Sequence, residues 1–287
     1  MRKRPARVAA IHDLSGFGRC SLSVIIPILS VMGIQPVPLP TAVLSTHTGG
    51  FQNVVFRDLS DFVEPALKQY QSEHLGFESV YTGFLSSEQQ IDHCLDFIRA
   101  YPKALTIVDP VMGDHGKRYK TYTISLCKRM KELVKEADFI TPNPTEMSLL
   151  LEEEYDPRPM THQELKTKLL KLSDMGPSTV VVTGVELADM TINNVGYDRE
   201  RNSFWRVKCS YVPVSYPGTG DVFCSIVVGS ILKGDSLPIA MERATRFLEL
   251  AIKRTFSYGT DTRYGVMLEP SLPWLCQEQV LDKYEIL

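Results

Sequence analysis

Short apolar segments alternate with longer segments of helical spacing over most of the chain. Continuous apolar runs such as Val180-Val-Val182 are typical of strands that are covered on both faces of a sheet. The repeated order of strand and then helix predicts right-handed β-α units and a largely parallel sheet, hence an α/β fold. The predicted strands are Val8–His12, Ser79–Phe84, Ala104–Asp109, Asp138–Thr141 and Ser178–Thr183.

Helix starts are marked by capping residues between these strands. Ser86-Ser-Glu-Gln89 and Thr161-His-Gln-Glu164 have the spacing of a capping box, and Asn143 precedes a proline at the first helical position. The predicted helices are Ser21–Met32, Ser86 to about Ala100, Tyr122–Glu136, one that opens at Asn143, Thr161 to about Met175, Ser215–Lys233 and Asp235–Thr255.

Two regions break the alternation. Gln35–Arg57 is rich in proline and glycine without helical spacing, which predicts short strands and a small flap. Met190–Val214 predicts a hairpin or meander whose polar turn is Tyr197–Asn202. Tyr258–Leu287 predicts only cover for the core, with Trp274 and Tyr284 as packing residues. Because no linker or repeat divides the chain, we expect one domain over residues 1–287.

Composition excludes several classes of protein. The 31 basic and 34 acidic residues give a net charge of −3, which argues against a nucleic-acid partner. No apolar run approaches the roughly 20 residues that span a bilayer, and the basic start Met1–Arg7 lacks the apolar stretch of a secretory signal. The six cysteines are scattered, which favours free thiols in a reducing cytoplasm, and the histidines show no zinc spacing.

Two nucleotide-binding motifs fail on inspection. Gly16-Phe-Gly18-Arg-Cys-Ser21 has serine in place of the third glycine of a dinucleotide fingerprint, and no acidic residue follows near twenty positions on. Gly116-Lys117 is followed by Arg118, so no Walker-type loop is present there.

The most informative segment is Tyr216–Cys224, in which Gly218-Thr-Gly220 precedes an apolar helix. A flexible loop at a helix N-terminus directs several N–H groups to one point and favours an anion. Asp221, on the first turn, is placed to accept a proton from an attacking hydroxyl as a general base. The alternative is that Asp221 only caps the helix and the glycines only form a turn.

Polar residues also follow three other strands. They lie in Asp109-Pro-Val-Met-Gly-Asp114, in Thr141-Pro-Asn-Pro-Thr-Glu146 and at Thr183-Gly184. Carboxyl ends of parallel strands bind ligands in open α/β folds, and carboxylates beside an anion site suit Mg²⁺ and phosphoryl transfer. Structural alternatives remain for each: Glu146 as the capping partner of Asn143, Asp109 as an acceptor of backbone hydrogen bonds, and Asp114 as a turn residue.

An acceptor pocket is expected upstream. Asp13 ends the first predicted strand, and Ser45-Thr-His-Thr-Gly-Gly50 supplies hydroxyls, an imidazole and two glycines in the predicted flap. His47 is alternatively a structural histidine, and Thr48 is equally open.

Taken together, the chain closely resembles the pyridoxal/pyridoxine/pyridoxamine kinases of the ribokinase-like superfamily. The matching stretches occur in family order between about Val8 and Ile252; they are Ser45–Gly49, Tyr81-Thr-Gly-Phe84, Asp109–Asp114, Thr141–Glu146 and Gly218–Asp221. The resemblance implies a three-layer α/β/α sandwich that uses MgATP, often with K⁺, to phosphorylate a ring hydroxymethyl group. It also implies a homodimer.

The resemblance implies a role for each candidate residue. Asp221 would be the base, and Gly218, Thr219 and Gly220 would hold the phosphoryl charge. Asp109 and Glu146 would position Mg²⁺ in the ATP site. The other ATP-site residues would be Asp114, Tyr119, Thr141 and Thr183. The residues facing the substrate ring would be Asp13, His47, Thr48 and Gly49.

Departures from the family pattern keep other substrates open. His12-Asp-Leu-Ser-Gly-Phe-Gly18 is closer to hydroxymethylpyrimidine kinases, whereas Gly218-Thr-Gly-Asp221 and the His47-Thr-Gly segment favour the pyridoxal group. We therefore rank a vitamin B6 kinase first and a pyrimidine kinase second. A non-catalytic vitamer-binding protein ranks lower because it has no need of Asp221, and a sugar kinase lacks its early paired glycines.

Overall fold

The computed structural model describes residues 4–210 and 212–287. Tyr211, within the predicted meander, and Met1–Lys3, within the basic start, lie outside the described residues. The strands are β1 (Arg7–Phe17), β2 (Gln35–Thr46), β3 (Phe56–Asp58), β4 (Ser79–Thr82), β5 (Leu105–Val108), β6 (Gly113–Asp114), β7 (Lys117–Arg118), β8 (Phe139–Ile140), β9 (Thr179–Glu186), β10 (Ile192–Asp198), β11 (Ser203–Lys208) and β12 (Tyr284–Ile286).

Helices connect most of these strands. The α-helices are α1 (Leu22–Val31), α2 (Ser60–Ser72), α3 (Glu88–Ala100), α4 (Ile124–Lys135), α5 (Pro144–Leu151), α6 (His162–Asp174), α7 (Thr219–Lys233) and α8 (Leu237–Tyr258). Two short 3-10 helices, Thr262–Tyr264 and Leu272–Cys276, follow α8. Helix α2 lies in a stretch for which the sequence pattern predicted no element.

Ten of the strands form one sheet in the order β12-β11-β10-β9-β8-β5-β4-β1-β2-β3. Neighbouring strands from β9 to β2 are parallel, whereas β3 and β10 to β12 pair antiparallel with their neighbours. Strands β6 and β7 form a separate hairpin. The predicted mainly parallel sheet and the predicted hairpin at Met190–Val214 are thereby confirmed.

The sheet is covered on both faces. Ala9 and Ile11 of β1 belong to the core under the helices α2 to α6, whereas Val8 and Ala10 belong to the core under α1, α7 and α8. A parallel sheet buried on both sides requires this continuous apolar sequence. The arrangement confirms the predicted three layers, helix, sheet and helix.

The proline-rich region departs from its prediction of short strands. Gln35–Thr46 is one strand of 12 residues beside β1, and only the loop between β2 and β3 lies outside the sheet. The Gln35 N–H donates to Ala6 O at 2.8 Å, so the prolines at positions 36, 38 and 40 turn their nitrogens to the other side. That side is unpaired there because β3 pairs only with Ala42–Leu44. Proline is therefore tolerated at this edge.

Helix starts follow the predicted capping, with one change of register. Asn143 and Thr161 each form a complete capping box, as predicted. At α3 the N-cap is Ser87 rather than Ser86, because the Ser87 hydroxyl accepts from the Gln90 N–H at 3.3 Å. The Gln90 side chain in turn accepts from the Ser86 N–H at 2.7 Å. The prediction was therefore wrong by one residue.

The C-terminal stretch does more than cover the core. β12 pairs with β11 and becomes the edge of the sheet. The Tyr284 ring lies 5.7 Å from Trp205 and the Trp274 ring 6.2 Å from Phe247, so both predicted packing residues do pack.

Two predictions about the class of protein can be compared with the fold. Among residues 4–210 and 212–287, no helix combines the length and apolar composition that a membrane crossing needs. All six cysteines are free thiols, as predicted. The cytoplasmic compartment and the homodimer stay predictions.

Candidate active site

The candidate residues converge at the carboxyl ends of the parallel strands, against the N-terminus of α7. Asp109 follows β5, Thr141 follows β8 and Thr183 lies in β9. Asp13 was expected just after a strand that stops at His12, and this was wrong because β1 continues to Phe17. The pairing of β1 with β2 shifts register between His12 and Leu14. An irregularity of this kind redirects the side chain at that point.

Asp221 is held by one backbone bond from a strained residue. Its Oδ2 accepts a hydrogen bond from the Ser21 N–H at 2.8 Å. Ser21 adopts a φ of 52°, a left-handed conformation that a residue with a side chain rarely adopts and that clusters at functional sites. Burial raises the pKa of Asp221 to about 7, the Ser21 N–H opposes the shift, and the nearby Asp13 charge adds to it. A carboxylate with this pKa is suited to take a proton near neutral pH.

Asp109 and Glu146 are two further buried carboxylates at the site. Burial and the Asp221 charge raise the pKa of Asp109 to about 8. Burial and the Asp109 charge raise the pKa of Glu146 well above its usual range. Glu146 Oε2 accepts from the Asn143 N–H at 2.9 Å and Oε1 from the Met112 N–H at 3.2 Å. Glu146 is therefore the capping partner of Asn143, as the structural alternative predicted. It also lies close enough to Asp109 for the two charges to interact.

Whether these residues fit a divalent cation can be tested on their chemistry. Among the described residues no group of three or more acidic, histidine or cysteine side chains is arranged as a metal site. Mg²⁺ at phosphate sites needs only one or two carboxylates together with the phosphates of the substrate. Two buried carboxylates that disfavour each other's charge are relieved by a cation. Asp109 and Glu146 fit Mg²⁺ in that role.

Thr141 was assigned to the phosphates or to a monovalent ion. Its hydroxyl is buried beside Asp109, whose pKa it lowers as a hydrogen-bonding neighbour, but it has no partner at close hydrogen-bond geometry among the described residues. Buried polar atoms in native proteins are normally paired, so the Thr141 hydroxyl fits a ligand, an ion or a water. Burial lowers the pKa of His12 to about 3, which keeps its ring neutral.

The glycine loop is fixed by its neighbours. Gly218 is the N-cap of α7 with a φ of 81°, and a Cβ there would lie 2.0 Å from Arg19 O. Only glycine meets both conditions. The Val222 N–H donates to Gly218 O at 3.0 Å, so the N–H groups of the preceding residues are left to a ligand at the helix start.

A cavity of about 360 Å³ opens beside this loop. Its lining is mixed: Thr183, Thr219 and Gly220 line it near the start of α7, and further polar residues (Asn194, Ser210, Thr245 and Glu249) and several apolar side chains line it as well. These apolar residues are Ile192, Val212, Val214, Phe223, Leu248 and Ile252. A mainly apolar cavity with a few polar groups, opening at a helix N-terminus, suits a nucleotide. Of the predicted ATP-site residues only Thr183 lines this cavity, whereas Asp109, Asp114, Tyr119, Thr141 and Glu146 do not.

Asp114 lies in the β6–β7 hairpin, and Tyr119 lies directly after it. Asp114 is exposed, and its Oδ1 accepts from the His115 N–H at 2.8 Å, as a turn residue does. Tyr119 is 40% exposed, and its N–H donates to Met112 O at 2.9 Å. Partial burial and the charges of Glu146 and Asp114 raise the pKa of Tyr119.

On the acceptor side, Asp13 and His47 are buried whereas Thr48 and Gly49 are exposed. Asp13 Oδ2 accepts from the Ser15 hydroxyl at 3.0 Å, and burial raises the pKa of Asp13. Both ring nitrogens of His47 are occupied by backbone groups: Nδ1 accepts from the Gly49 N–H at 3.0 Å, and Nε2 lies 2.6 Å from Arg263 O. His47 therefore shapes the loop, and its nitrogens are not free for a substrate.

Two residues at the site were missed. Ser21 was predicted as the start of a helix and as the failed third glycine of a fingerprint, but its contact with Asp221 was not foreseen because the two lie 200 residues apart in the chain. Arg263, which contacts the loop of His47, carried no local signal because it lies 216 residues further along the chain.

Comparison with known proteins gives a consistent family. The family model for phosphomethylpyrimidine kinases matches residues 26–265. The chain is 27% identical over 253 residues to the chloroplastic thiamine biosynthetic bifunctional enzyme TH1 of Arabidopsis thaliana, covering 88% of this chain and 47% of that protein. It therefore spans about half the length of that relative. It is 26% identical over 239 residues to the pyridoxal kinase of the same plant, covering 79% of this chain and 75% of that protein.

Two solved structures are similar to this chain over almost its whole length. A Bacteroides thetaiotaomicron protein assigned to the phosphomethylpyrimidine kinases and crystallised with pyridoxal is 43% identical, with a TM-score of 0.95 over 99% of this chain and 100% of that one. Pyridoxal kinase from Lactobacillus plantarum is 29% identical, with a TM-score of 0.87 over 94% of this chain and 96% of that one. These matches confirm the predicted ribokinase-like fold.

Proposed function

The chain belongs to the phosphomethylpyrimidine kinase family, and we propose that within it the protein transfers the terminal phosphoryl group of ATP to the hydroxymethyl group of a vitamin B6 vitamer. The observation that carries this proposal is the Asp221 carboxylate, fixed by the Ser21 N–H at the start of α7 with a pKa of about 7. The 43% identical protein crystallised with pyridoxal supports the choice of acceptor.

In this proposal Asp221 takes the proton of the acceptor. Its Oδ2 is occupied by the Ser21 N–H, which leaves Oδ1 to accept the hydroxyl proton of the hydroxymethyl group. The oxygen then attacks the terminal phosphorus, and the bond from that phosphorus to the departing ADP oxygen breaks. General-base assistance of this kind typically contributes about 10² to 10⁴ in rate.

The anion loop and the cavity hold the donor. The N–H groups at Thr219 and Gly220 face the transferring phosphoryl group, whose charge is spread over its outer oxygens. The cavity that these residues share with Thr183 takes the rest of the nucleotide. Asp109 and Glu146 would hold Mg²⁺, which when bound neutralises the phosphate charge and orients the chain of phosphates. Thr141, whose hydroxyl lies beside Asp109, offers that hydroxyl to the phosphates or to K⁺.

A pyrimidine acceptor is the second candidate. The family model is named for a phosphomethylpyrimidine kinase, and the bifunctional plant relative is named for thiamine biosynthesis. A hydroxymethylpyrimidine presents the same primary alcohol to Asp221, so the transfer chemistry does not distinguish the two acceptors. The difference must come from the residues that face the ring, of which Asp13 is the buried acid.

One assay separates these candidates. The protein is incubated with MgATP and, separately, pyridoxal, pyridoxine, pyridoxamine or hydroxymethylpyrimidine, and the phosphorylated product is measured by mass spectrometry. We expect the highest kcat/KM with a B6 vitamer and a loss of about 10² or more in the Asp221→Asn variant. A higher kcat/KM with the pyrimidine establishes the second candidate. Absence of product from all four acceptors refutes the kinase proposal for this chain.

A further inference from the structure

The segment Asp261–Gly265, here called the C-terminal clasp, touches the loop that contains His47. Arg263 O lies 2.6 Å from His47 Nε2, and the Arg263 guanidinium donates to Gly50 O at 3.4 Å. The guanidinium also lies 5.3 Å from the centre of the Phe51 ring, a cation–π distance. Arg263 therefore contacts this loop at three points: the backbone of Gly50, the ring of Phe51 and the ring of His47.

Bonds within the clasp hold the Arg263 side chain in place. The Arg263 N–H and its Nε both bond to Asp261 Oδ1, at 2.9 and 3.1 Å, and Nη2 lies 2.5 Å from Asp261 Oδ2. This pairing fixes the orientation of the guanidinium. Because the Arg263 side chain is still 47% exposed, the ion pair alone contributes little stability. Its effect lies in where it directs the arginine.

The clasp also reaches the loop that holds the base. Arg19 donates from Nη1 to Tyr264 O at 3.2 Å and pairs through Nε with Glu269 at 2.9 Å. A Cβ at Gly265 would lie 2.9 Å from the Arg19 N, so the two backbones are in close approach. Arg19 stands two residues before Ser21, whose N–H holds Asp221.

The loop that the clasp holds borders the acceptor side of the site. The His47 ring would contact a Cβ at Gly18 at 2.3 Å, and a Cβ at Gly49 would lie 4.0 Å from Pro217, beside the anion loop. Residues of the clasp do not line the nucleotide cavity.

We propose that Arg263 is a positioning residue for the acceptor: through Gly50, Phe51 and the Asp261 pair it holds the 47–51 loop in its acceptor-binding position. The inference rests on the proposed function, because it takes the acceptor to bind on this side. It assigns a role to part of the C-terminal stretch that the sequence left without one.

The test compares Arg263→Ala with a matched arginine elsewhere. Arg158 has the same local arrangement, with its N–H and Nε bonded to Asp156 two residues before it, but it lies between α5 and α6. We expect Arg263→Ala to raise KM for pyridoxal by about three- to tenfold, from the loss of the cation–π contact and of loop position. KM for ATP and kcat should stay within about twofold of wild type, as should every constant of Arg158→Ala.

Two further measurements separate positioning from damage to the fold. Arg263→Lys keeps a cation over Phe51 without the planar fork, so its KM for pyridoxal should lie between those of wild type and Arg263→Ala. The Kd for pyridoxal without ATP, measured by equilibrium dialysis, should rise in parallel with KM.

Each outcome has a definite meaning. If Arg263→Ala matches Arg158→Ala in KM and Kd for pyridoxal, or raises both KM values equally, the positioning role is wrong while the kinase proposal stands. If wild-type protein neither binds nor phosphorylates pyridoxal or the other acceptors, the proposed function fails and takes this inference with it.

Discussion

Replacing Asp221 by asparagine should stabilise the protein while it removes activity. The carboxylate is half-buried, and its pKa rises from 3.8 to about 7 chiefly through burial. A folded state that binds this proton more tightly than the unfolded chain loses stability as pH rises between these two values. The cost is absent below about pH 4 and fully present above about pH 7.

The size of this effect is set by the pKa. At about 1.4 kcal/mol for each pH unit, the rise corresponds to about 4 kcal/mol at most above pH 7. Water that reaches the cleft lowers this figure, so we expect Asp221→Asn to gain about 2 kcal/mol at pH 8. Asparagine keeps an oxygen that accepts the Ser21 N–H, which is why it is preferred to alanine.

The assay is urea unfolding of both proteins at about pH 8 and about pH 5, with ΔG taken by linear extrapolation. Asp96→Asn is the control, because Asp96 also lies on a helix but its side chain is 61% exposed. The gain from Asp221→Asn should shrink by more than half at pH 5, whereas the control should change little at either pH. If the variant is no more stable than wild type at pH 8, or gains equally at both values, burial does not strain this carboxylate.

The same site supports three further predictions. Because Asp221 must be deprotonated to act as a base, kcat/KM should rise about tenfold per pH unit below pH 7 and level off above it, and a flat profile would exclude Asp221 as the base. Gly218→Ala should abolish phosphorylation because the added Cβ would clash with the backbone oxygen of Arg19. Gly234→Ala should remain active, because Gly234 has a similar φ of 99° but an added Cβ would meet nothing within 4 Å. Equal losses of activity in the two variants would contradict the steric argument. Glu146→Gln should raise the Mg²⁺ concentration that gives half the maximal rate by about tenfold. The control Glu164→Gln, in the matching capping box of α6, should leave this concentration unchanged. If both variants show the same Mg²⁺ dependence, Glu146 does not belong to the metal site.

The local parts of the fold could be predicted because their signals are local. Apolar runs marked the central strands, and the capping boxes at Asn143 and Thr161 formed as expected. The carboxyl ends of these strands then brought Asp109 and Glu146 together with Asp221 by the geometry of parallel sheets. Local signals thus located most of these elements to within a residue or two, as the shift from Ser86 to Ser87 at α3 shows.

Other parts depend on partners that no local pattern shows. The prolines of β2 are compatible with a strand only because β2 lies near the edge of the sheet and its proline side is unpaired. β12 has three residues, and its place is set by pairing with β11. His47 was expected to face the substrate, but both its nitrogens are taken by the backbone, one of them by distant Arg263. Each of these outcomes is decided by tertiary contacts.

Glu146 and Glu164 show how far such contacts decide chemistry. Both occupy the third position of a helix and both close a capping box, so their local sequence and local geometry agree. The pKa of Glu164 falls to about 2 because Arg158 and the groups of Thr161 bond to its partly exposed carboxylate. The pKa of Glu146 rises well above its usual range because the same motif is buried beside Asp109.

The structural and functional interpretations of Glu146 therefore do not exclude each other. The capping bonds fix the orientation of its carboxylate, and a fixed carboxylate beside a second acid holds a cation with little loss of side-chain freedom. At a solvated helix start, water stabilises the glutamate carboxylate of a capping box. After a buried strand, the same box holds the carboxylate where water cannot stabilise its charge. The position of the box next to Asp109, rather than the presence of the box, supports the assignment of Glu146 to Mg²⁺.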